Sequence, residues 1–95
     1  MTRIVFLLSP NVHLLDLAGP AQVFSTAADL GCDYQQLYLA EQEDVPTAQG
    51  AVVRAETDWP QLHPGDLLLV PGWRAWNLKP SNGPGPRGIA LLAAH

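Results

Sequence analysis

The feature that most constrains this chain is the apolar run at residues 4–8, IVFLL. A continuous run of β-forming residues predicts a strand buried on both faces, which is typical of parallel sheets covered by helices. Turn-forming residues come next, and then the segment 14–20, LLDLAGP, places Asp16 between leucines just after the strand. In open α/β sheets, ligands bind at this carboxyl end of the strands.

Length and composition predict one small globular domain. The 95 residues are 47% hydrophobic and 15% charged, whereas disordered segments have low hydrophobicity and high charge. Nine acidic and five basic residues give a net charge of -4, and the bases are scattered, so we expect this segment not to bind nucleic acid. One cysteine and three histidines lack metal-ligand spacing, so we predict no metal and no cofactor. No run is long enough to span a membrane or to act as a secretion signal, which favours the cytoplasm.

The remaining pattern predicts an α/β fold. Pro20 suits the first turn of a helix, and Gly31 suits its end. The predicted elements are a strand over residues 3–8, a helix over 20–30, strands over 34–40 and 67–70, a hairpin turning at Gln49 and Gly50, and a helical turn over 58–62 that packs Trp59 inward. Right-handed crossovers then give a parallel sheet with the second, first and third of the long strands in that order, and the hairpin near the third.

The carboxyl-terminal part has a different character. Residues 80–88 hold three prolines and three glycines, which predicts a linker, and residues 89–95 begin an apolar helix. We therefore divide the chain into a front part over residues 1–78 and a linker with the start of a helix over residues 79–95.

Residues 3–73 resemble the opening of the ThiJ/PfpI superfamily, the class I glutamine amidotransferase-like domains. Within it, residues 14–24 are most similar to the amino-terminal sensor domains of AraC-type transcriptional regulators and to isonitrile hydratases. The resemblance implies an incomplete flavodoxin-like three-layer sandwich. The strand and the sharp elbow that present the family's nucleophilic cysteine do not occur in these 95 residues.

The resemblance also implies site residues. Asp16 occupies the family's acidic position, which hydrogen-bonds the elbow cysteine, although an Asp here also suits a helix cap. The sequence Pro71-Gly72-Trp73 stands where the family has Pro-Gly-Gly, whose N–H groups form an oxyanion hole, so Gly72 matches and Trp73 departs. We predict ligand contacts from Gly72, Trp73 and His13. The alternatives are a strand-ending turn with Trp73 and Trp76 as core or interface aromatics, and a solvent-facing His13.

Three functions stay open at this point. The first is a small-molecule-sensing fragment of an AraC-type regulator, which is not catalytic because the cysteine elbow is absent. The second is the front half of an isonitrile hydratase-like or PfpI-like cysteine enzyme. The third is an interaction module that forms a homo-oligomer through the open edge of strand 67–70. Cys32 is not a candidate nucleophile, because it follows the helix and lies at the start of a strand, away from the predicted site.

Overall fold

A computed structural model of the chain describes residues 1–75 and 83–95. It shows an α/β fold with a parallel sheet, an antiparallel hairpin and a helix on each side of the sheet, so the predicted incomplete sandwich is confirmed. The elements in chain order are β1 (Thr2–Leu7), α1 (Leu14–Asp29), β2 (Tyr34–Leu39), β3 (Asp44–Pro46), β4 (Val52–Arg54), β5 (Leu67–Leu69) and α2 (Pro86–Ala94).

The sheet has the order β2-β1-β5, with both pairs parallel, as predicted. Residues 4–8 are all buried to 3% exposure or less, which is why this run contains no polar residue. Side chains alternate between the two faces. Phe6 points toward α1 and stacks on Tyr38 with 5.2 Å between ring centroids, while Val5 and Leu7 join the core on the opposite face.

The opposite face is covered by α2 and by the segment after β4. Leu91 packs on the core around Leu7, and the first turn of α2 is bound to the end of β2. The Glu41 carboxylate accepts hydrogen bonds from the backbone N–H groups of Arg87, at 2.7 Å, and Gly88, at 3.2 Å. An anionic oxygen at a helix N-terminus satisfies free N–H groups and stabilises the helix dipole.

The predicted helix start at Pro20 is wrong, because α1 begins six residues earlier, at Leu14. Pro20 lies inside the helix, where it cannot donate the intrahelical hydrogen bond to the Asp16 carbonyl. The apolar stripe explains the extension: Leu17 is 5% exposed and continues the core-facing row of Ala21 and Phe24 by one more turn. Burial of this leucine overrides the helix-start signal of the Gly-Pro pair.

Two further expectations are corrected. Residues 58–62 do not form a helical turn; Trp59 still packs inward, and its Nε1–H donates to the Ala40 carbonyl at 2.9 Å. The hairpin of β3 and β4 does not lie beside β5. Its backbone is hydrogen-bonded to the end of β2, where Ala40 N–H donates to the Glu56 carbonyl at 3.1 Å, and to the loop after β1.

Helix α2 begins within the segment predicted as a linker, since Pro86 is its first residue. Pro suits this position because its fixed φ is already helical and its missing N–H would have had no partner there. Residues 76–82, which include Trp76 and the start of the predicted linker, lie outside the described residues.

The amino edge of the sheet is held by an ion pair. The Arg3 guanidinium donates to both carboxylate oxygens of Asp66, and the His63 N–H donates to the same carboxylate at 2.7 Å. The hydrogen bonds from Arg3 and His63 lower the pKa of Asp66 to about 2. This contact fastens the start of β1 to the loop that enters β5.

Candidate functional site

The candidate site is built from two loops at the carboxyl edge of the sheet. Val12, in the loop after β1, forms a bridge to Trp73, in the loop after β5, and a second bridge to Thr47 of the hairpin. The His13 N–H donates to the Gly72 carbonyl at 2.8 Å, and the Arg74 N–H donates to the Asn11 carbonyl at 2.9 Å. These bonds fix the backbone on either side of Gly72 against the residues that precede α1.

Asp16 lies in the first turn of α1, three residues after the N-cap residue His13. Its side chain is exposed although leucines flank it in the sequence, and of these neighbours Leu17 points into the core. A carboxylate in this position is stabilised by the positive end of the helix dipole. Asp16 does not cap a helix that begins at Pro20, because that helix start does not exist.

Asp16 and Gly72 are brought into direct proximity. A Cβ atom added to Gly72 would lie 2.8 Å from Asp16 Oδ2 and 3.6 Å from the Cδ2 atom of His13. Real Cβ atoms do not approach an oxygen so closely, so a larger residue at position 72 would displace the carboxylate. The structure therefore places three of the predicted site residues, His13, Asp16 and Gly72, in one group.

Two clefts meet at Asp16. One has a volume of about 600 Å³ and runs between the start of α1 and the tip of the hairpin. Its lining residues are His13, Leu14, Leu15, Asp16, Ala18 and Gln49. The other has a volume of about 340 Å³ and runs between α1 and the end of β5. Its lining residues are Asp16, Pro20, Leu69, Val70, Pro71 and Gly72.

Trp73 is not part of this group. It lines neither of the two clefts, and its indole ring packs against Gly83, where an added Cβ would lie 2.5 Å from Cζ2 of the ring. Side chains of adjacent residues in an extended backbone point to opposite sides. The Trp73 ring therefore lies on the side of the backbone opposite to the one where Gly72, which has no side chain, leaves room for Asp16. Within the described residues its ring packs against Gly83, and a ligand contact from Trp73 stays a prediction.

Cys32 lies at the other end of the fold. It precedes β2, whose first residue Tyr34 pairs with Thr2 at the amino edge of the sheet, and it is exposed. Across residues 1–75 and 83–95, no three His, Cys, Asp or Glu side chains are grouped as metal ligands. Of the same residues, none belongs to a helix with the length and apolar character that a bilayer crossing requires.

Gln49, predicted only as part of a hairpin turn, is also a site residue. Its side-chain Oε1 accepts the backbone N–H of Leu14, the first residue of α1, at 2.8 Å. The tip of the hairpin is thus attached to the start of the helix that carries Asp16. Pro20, predicted as a helix start, lines the smaller cleft. No local pattern signals either role, because both depend on contacts between distant segments.

A comparison with solved structures supports this architecture. The crystal structure of an AraC family transcriptional regulator from Pseudomonas putida superposes with a TM-score of 0.77 and 26% sequence identity, over 99% of this chain. The fold resembles a domain of that regulator. An uncharacterized protein in the cpoL 5′ region of Streptomyces lividans is 39% identical over 71 residues, which are 74% of this chain. No protein-family model matches the chain.

The matches cover only part of the other proteins. The chain spans 50% of the length of the Streptomyces protein and 57% of the Pseudomonas regulator chain. The structural match extends over almost the whole of this chain, so it includes the loops that carry His13, Asp16 and Gly72.

Proposed function

We propose that this chain is part of a ThiJ/PfpI-like sensing domain that binds a small molecule at Asp16 and takes part in transcription regulation in the cytoplasm. The carrying observation is that the Asp16 carboxylate lies over the side of Gly72 where a Cβ would stand, at the meeting point of two clefts. A concave, mostly apolar surface with a few convergent polar groups is the usual form of a small-molecule site. The similarity to an AraC family regulator supports a sensing role for it.

The proposal is of binding and not of catalysis. A cysteine mechanism would need a thiol within hydrogen-bond reach of Asp16. Cys32 is at the amino edge of the sheet, whereas Asp16 is at the carboxyl edge. The negative net charge and the scattered bases also argue that the sensing segment itself does not contact DNA.

The test is a ¹H–¹⁵N NMR titration of the labelled chain with single compounds at millimolar concentration, drawn from amino acids, short-chain amines, carboxylic acids and sugars. We expect one class to shift the amide signals of His13, Asp16 and Gly72 and to leave those around Arg3 unchanged. Gly72→Ala should weaken this binding at least about tenfold, because its Cβ displaces the Asp16 carboxylate. Gly65→Ala, where an added Cβ meets no atom within 4 Å, is the matched control and should bind normally.

Binding that shifts signals at the amino edge instead, or that survives Gly72→Ala unchanged, would contradict the proposed site. If no class of compound shifts the amide signals of His13, Asp16 and Gly72, that result would also count against the proposed site.

A second candidate function is an interaction module that forms a homo-oligomer through the open edge of β5. In the described residues β5 pairs only with β1, and Leu67 is 43% exposed at its start. An exposed apolar strand edge without charges recruits other strands. Leu67→Lys should lower the mass measured by light scattering if this edge assembles; Leu68 is less suitable because it packs into the core beside Val5.

A further inference from the structure

Gln49 stands in for a capping side chain at the first turn of α1. The N-cap residue His13 makes no side-chain hydrogen bond to that turn. Instead, Gln49 Oε1 accepts the backbone N–H of Leu14 at 2.8 Å from a position 35 residues away in the chain. The amide oxygen thus satisfies a donor that has no partner within the helix.

This bond fixes the direction of the Gln49 carboxamide. A backbone N–H can only donate, so the amide atom that faces Leu14 must be the oxygen. The NH2 group of the same planar amide therefore points away from Leu14. No residue among 1–75 and 83–95 accepts a hydrogen bond from it. Because Gln49 lines the larger cleft, its two N–H donors are available to a molecule bound there.

The turn that carries Gln49 is itself held in place. Thr47 is 5% exposed, and both its N–H and its Oγ1 hydroxyl donate to the Ala51 carbonyl, at 2.8 and 2.7 Å. The Ala48 N–H donates to the Val12 carbonyl at 2.9 Å, which attaches the turn to the loop after β1. A donor on such a fixed turn loses little further conformational freedom when it binds a ligand.

A helix cap alone does not require this donor. Any oxygen acceptor satisfies the Leu14 N–H, and a carboxylate would also interact favourably with the helix dipole. The amide differs from a carboxylate in its N–H groups, which share the cleft with the Asp16 carboxylate. The cleft therefore offers a donor on the hairpin and an acceptor on α1, beside the apolar Leu14, Leu15 and Ala18.

We propose that Gln49 is a ligand-binding residue of this cleft and that its Nε2 donates to an acceptor oxygen of the bound molecule. The ligand class then combines a carbonyl-type oxygen for Gln49, a donor group for Asp16 and a small apolar body. This inference rests on the proposed function, because it specifies which molecules the Asp16 site takes. It goes further in assigning a binding role to the hairpin.

The first test needs no ligand and checks the direction of the amide. The Leu14 amide hydrogen should exchange with solvent at least about threefold faster in Gln49→Leu, which loses the acceptor. Gln49→Glu keeps an acceptor oxygen and should leave this exchange slow. An unchanged Leu14 rate in Gln49→Leu would overturn the proposal, since the amide would then not be held by this bond.

The second test compares two probes by ¹H–¹⁵N NMR titration at about pH 6, where both amines are protonated. Leucine methyl ester carries a carbonyl oxygen, and isoamylamine has the same branched body without it. The unmodified chain should bind the ester about threefold to tenfold more tightly. In Gln49→Glu, which cannot donate, this ratio should fall to about one. The added negative charge acts on both cations and largely cancels in the ratio.

Gln35→Glu is the matched control. It makes the same change at an exposed residue of β2, next to Arg3 at the amino edge of the sheet, and should keep the ratio. A ratio near one in the unmodified chain, or one that survives Gln49→Glu, would overturn the role of Gln49. The proposed function would stand in that case, because both probes would still shift Asp16 and Gly72.

The wider compound titration separates the remaining outcomes. If neither probe binds and the site instead takes a molecule without an acceptor oxygen, the role of Gln49 is refuted and the proposed function stands. If no compound shifts the signals of His13, Asp16 and Gly72, the proposed function fails, and the binding role of Gln49 fails with it.

Discussion

Asp16→Asn should lower the free energy of unfolding, and Asp29→Asn should raise it. Asp16 is in the first turn of α1 and Asp29 is the last residue of that helix, and both side chains are exposed. The two substitutions keep the side-chain shape and remove one negative charge at opposite ends of one helix dipole. The dipole places a positive partial charge beside Asp16 and a negative one beside Asp29.

The magnitude is set by the charges and their separation. Half an elementary charge about 5 Å from a carboxylate gives about 0.4 kcal/mol at a dielectric constant of about 80, and about 0.8 kcal/mol at about 40. We expect Asp16→Asn to lower the free energy of unfolding by about 0.4–0.8 kcal/mol and Asp29→Asn to raise it by a similar amount. Urea denaturation at neutral pH and low salt measures both values.

Salt provides the internal check on this reasoning. Both differences should shrink toward zero near 1 M salt, where the screening length falls to about 3 Å. A loss for Asp16→Asn well above about 1 kcal/mol that salt does not change would refute the reasoning, because a loss of that size indicates a specific hydrogen bond. A gain in stability would also refute it, since the carboxylate would then be unfavourable where it lies.

Three further outcomes are expected. Asn11 has a φ of 66°, so Asn11→Val should destabilise the fold by about 1–2 kcal/mol in a urea titration, while Asn11→Gly should be nearly neutral. Asp66 has a folded pKa of about 2, below its ordinary 3.8, so its stabilising contribution is present above pH 3.8 and is lost as the pH falls toward 2. Arg3→Met should make the free energy of unfolding depend less on pH between about pH 4 and 2. An unchanged pH dependence would show that the Arg3–Asp66 ion pair is not its cause. Trp59→Phe removes the donor to the Ala40 carbonyl and should lower the melting temperature; an unchanged value would show that this bond is not stabilising.

The sheet could be predicted from the sequence because its strands are continuous apolar runs. Residues 4–8 and 67–69 have no polar position, and Leu37 and Leu39 alternate with Gln36 and Tyr38, so only one arrangement buries them. The parallel order is then given by the handedness of the crossovers. Element boundaries were less predictable where tertiary contacts decide them. Burial of Leu17 makes α1 begin at Leu14, six residues before the helix start that Gly19 and Pro20 predict.

The candidate site was predictable to the extent that it depends on strand topology. Two residues placed just after neighbouring parallel strands lie at the same edge of the sheet, which is why the proximity of Asp16 and Gly72 could be expected. The role of Gln49 could not, because its bond to Leu14 depends on how the hairpin docks. The direction of the Trp73 side chain also depends on a distant residue, Gly83.

The double bridging of Val12 has a consequence for how the site moves. Its carbonyl accepts from Ala48 in the hairpin, and the neighbouring Asn11 carbonyl accepts from Arg74 after β5, so the loop acts as an extra strand between two otherwise separate segments. Breaking the loop open requires both sets of bonds to break together. The amide hydrogens of His13, Ala48 and Arg74 should therefore exchange with deuterium as one cooperative unit. A bound molecule that stabilises the hydrogen bond of any one of these amides should slow the exchange of all three.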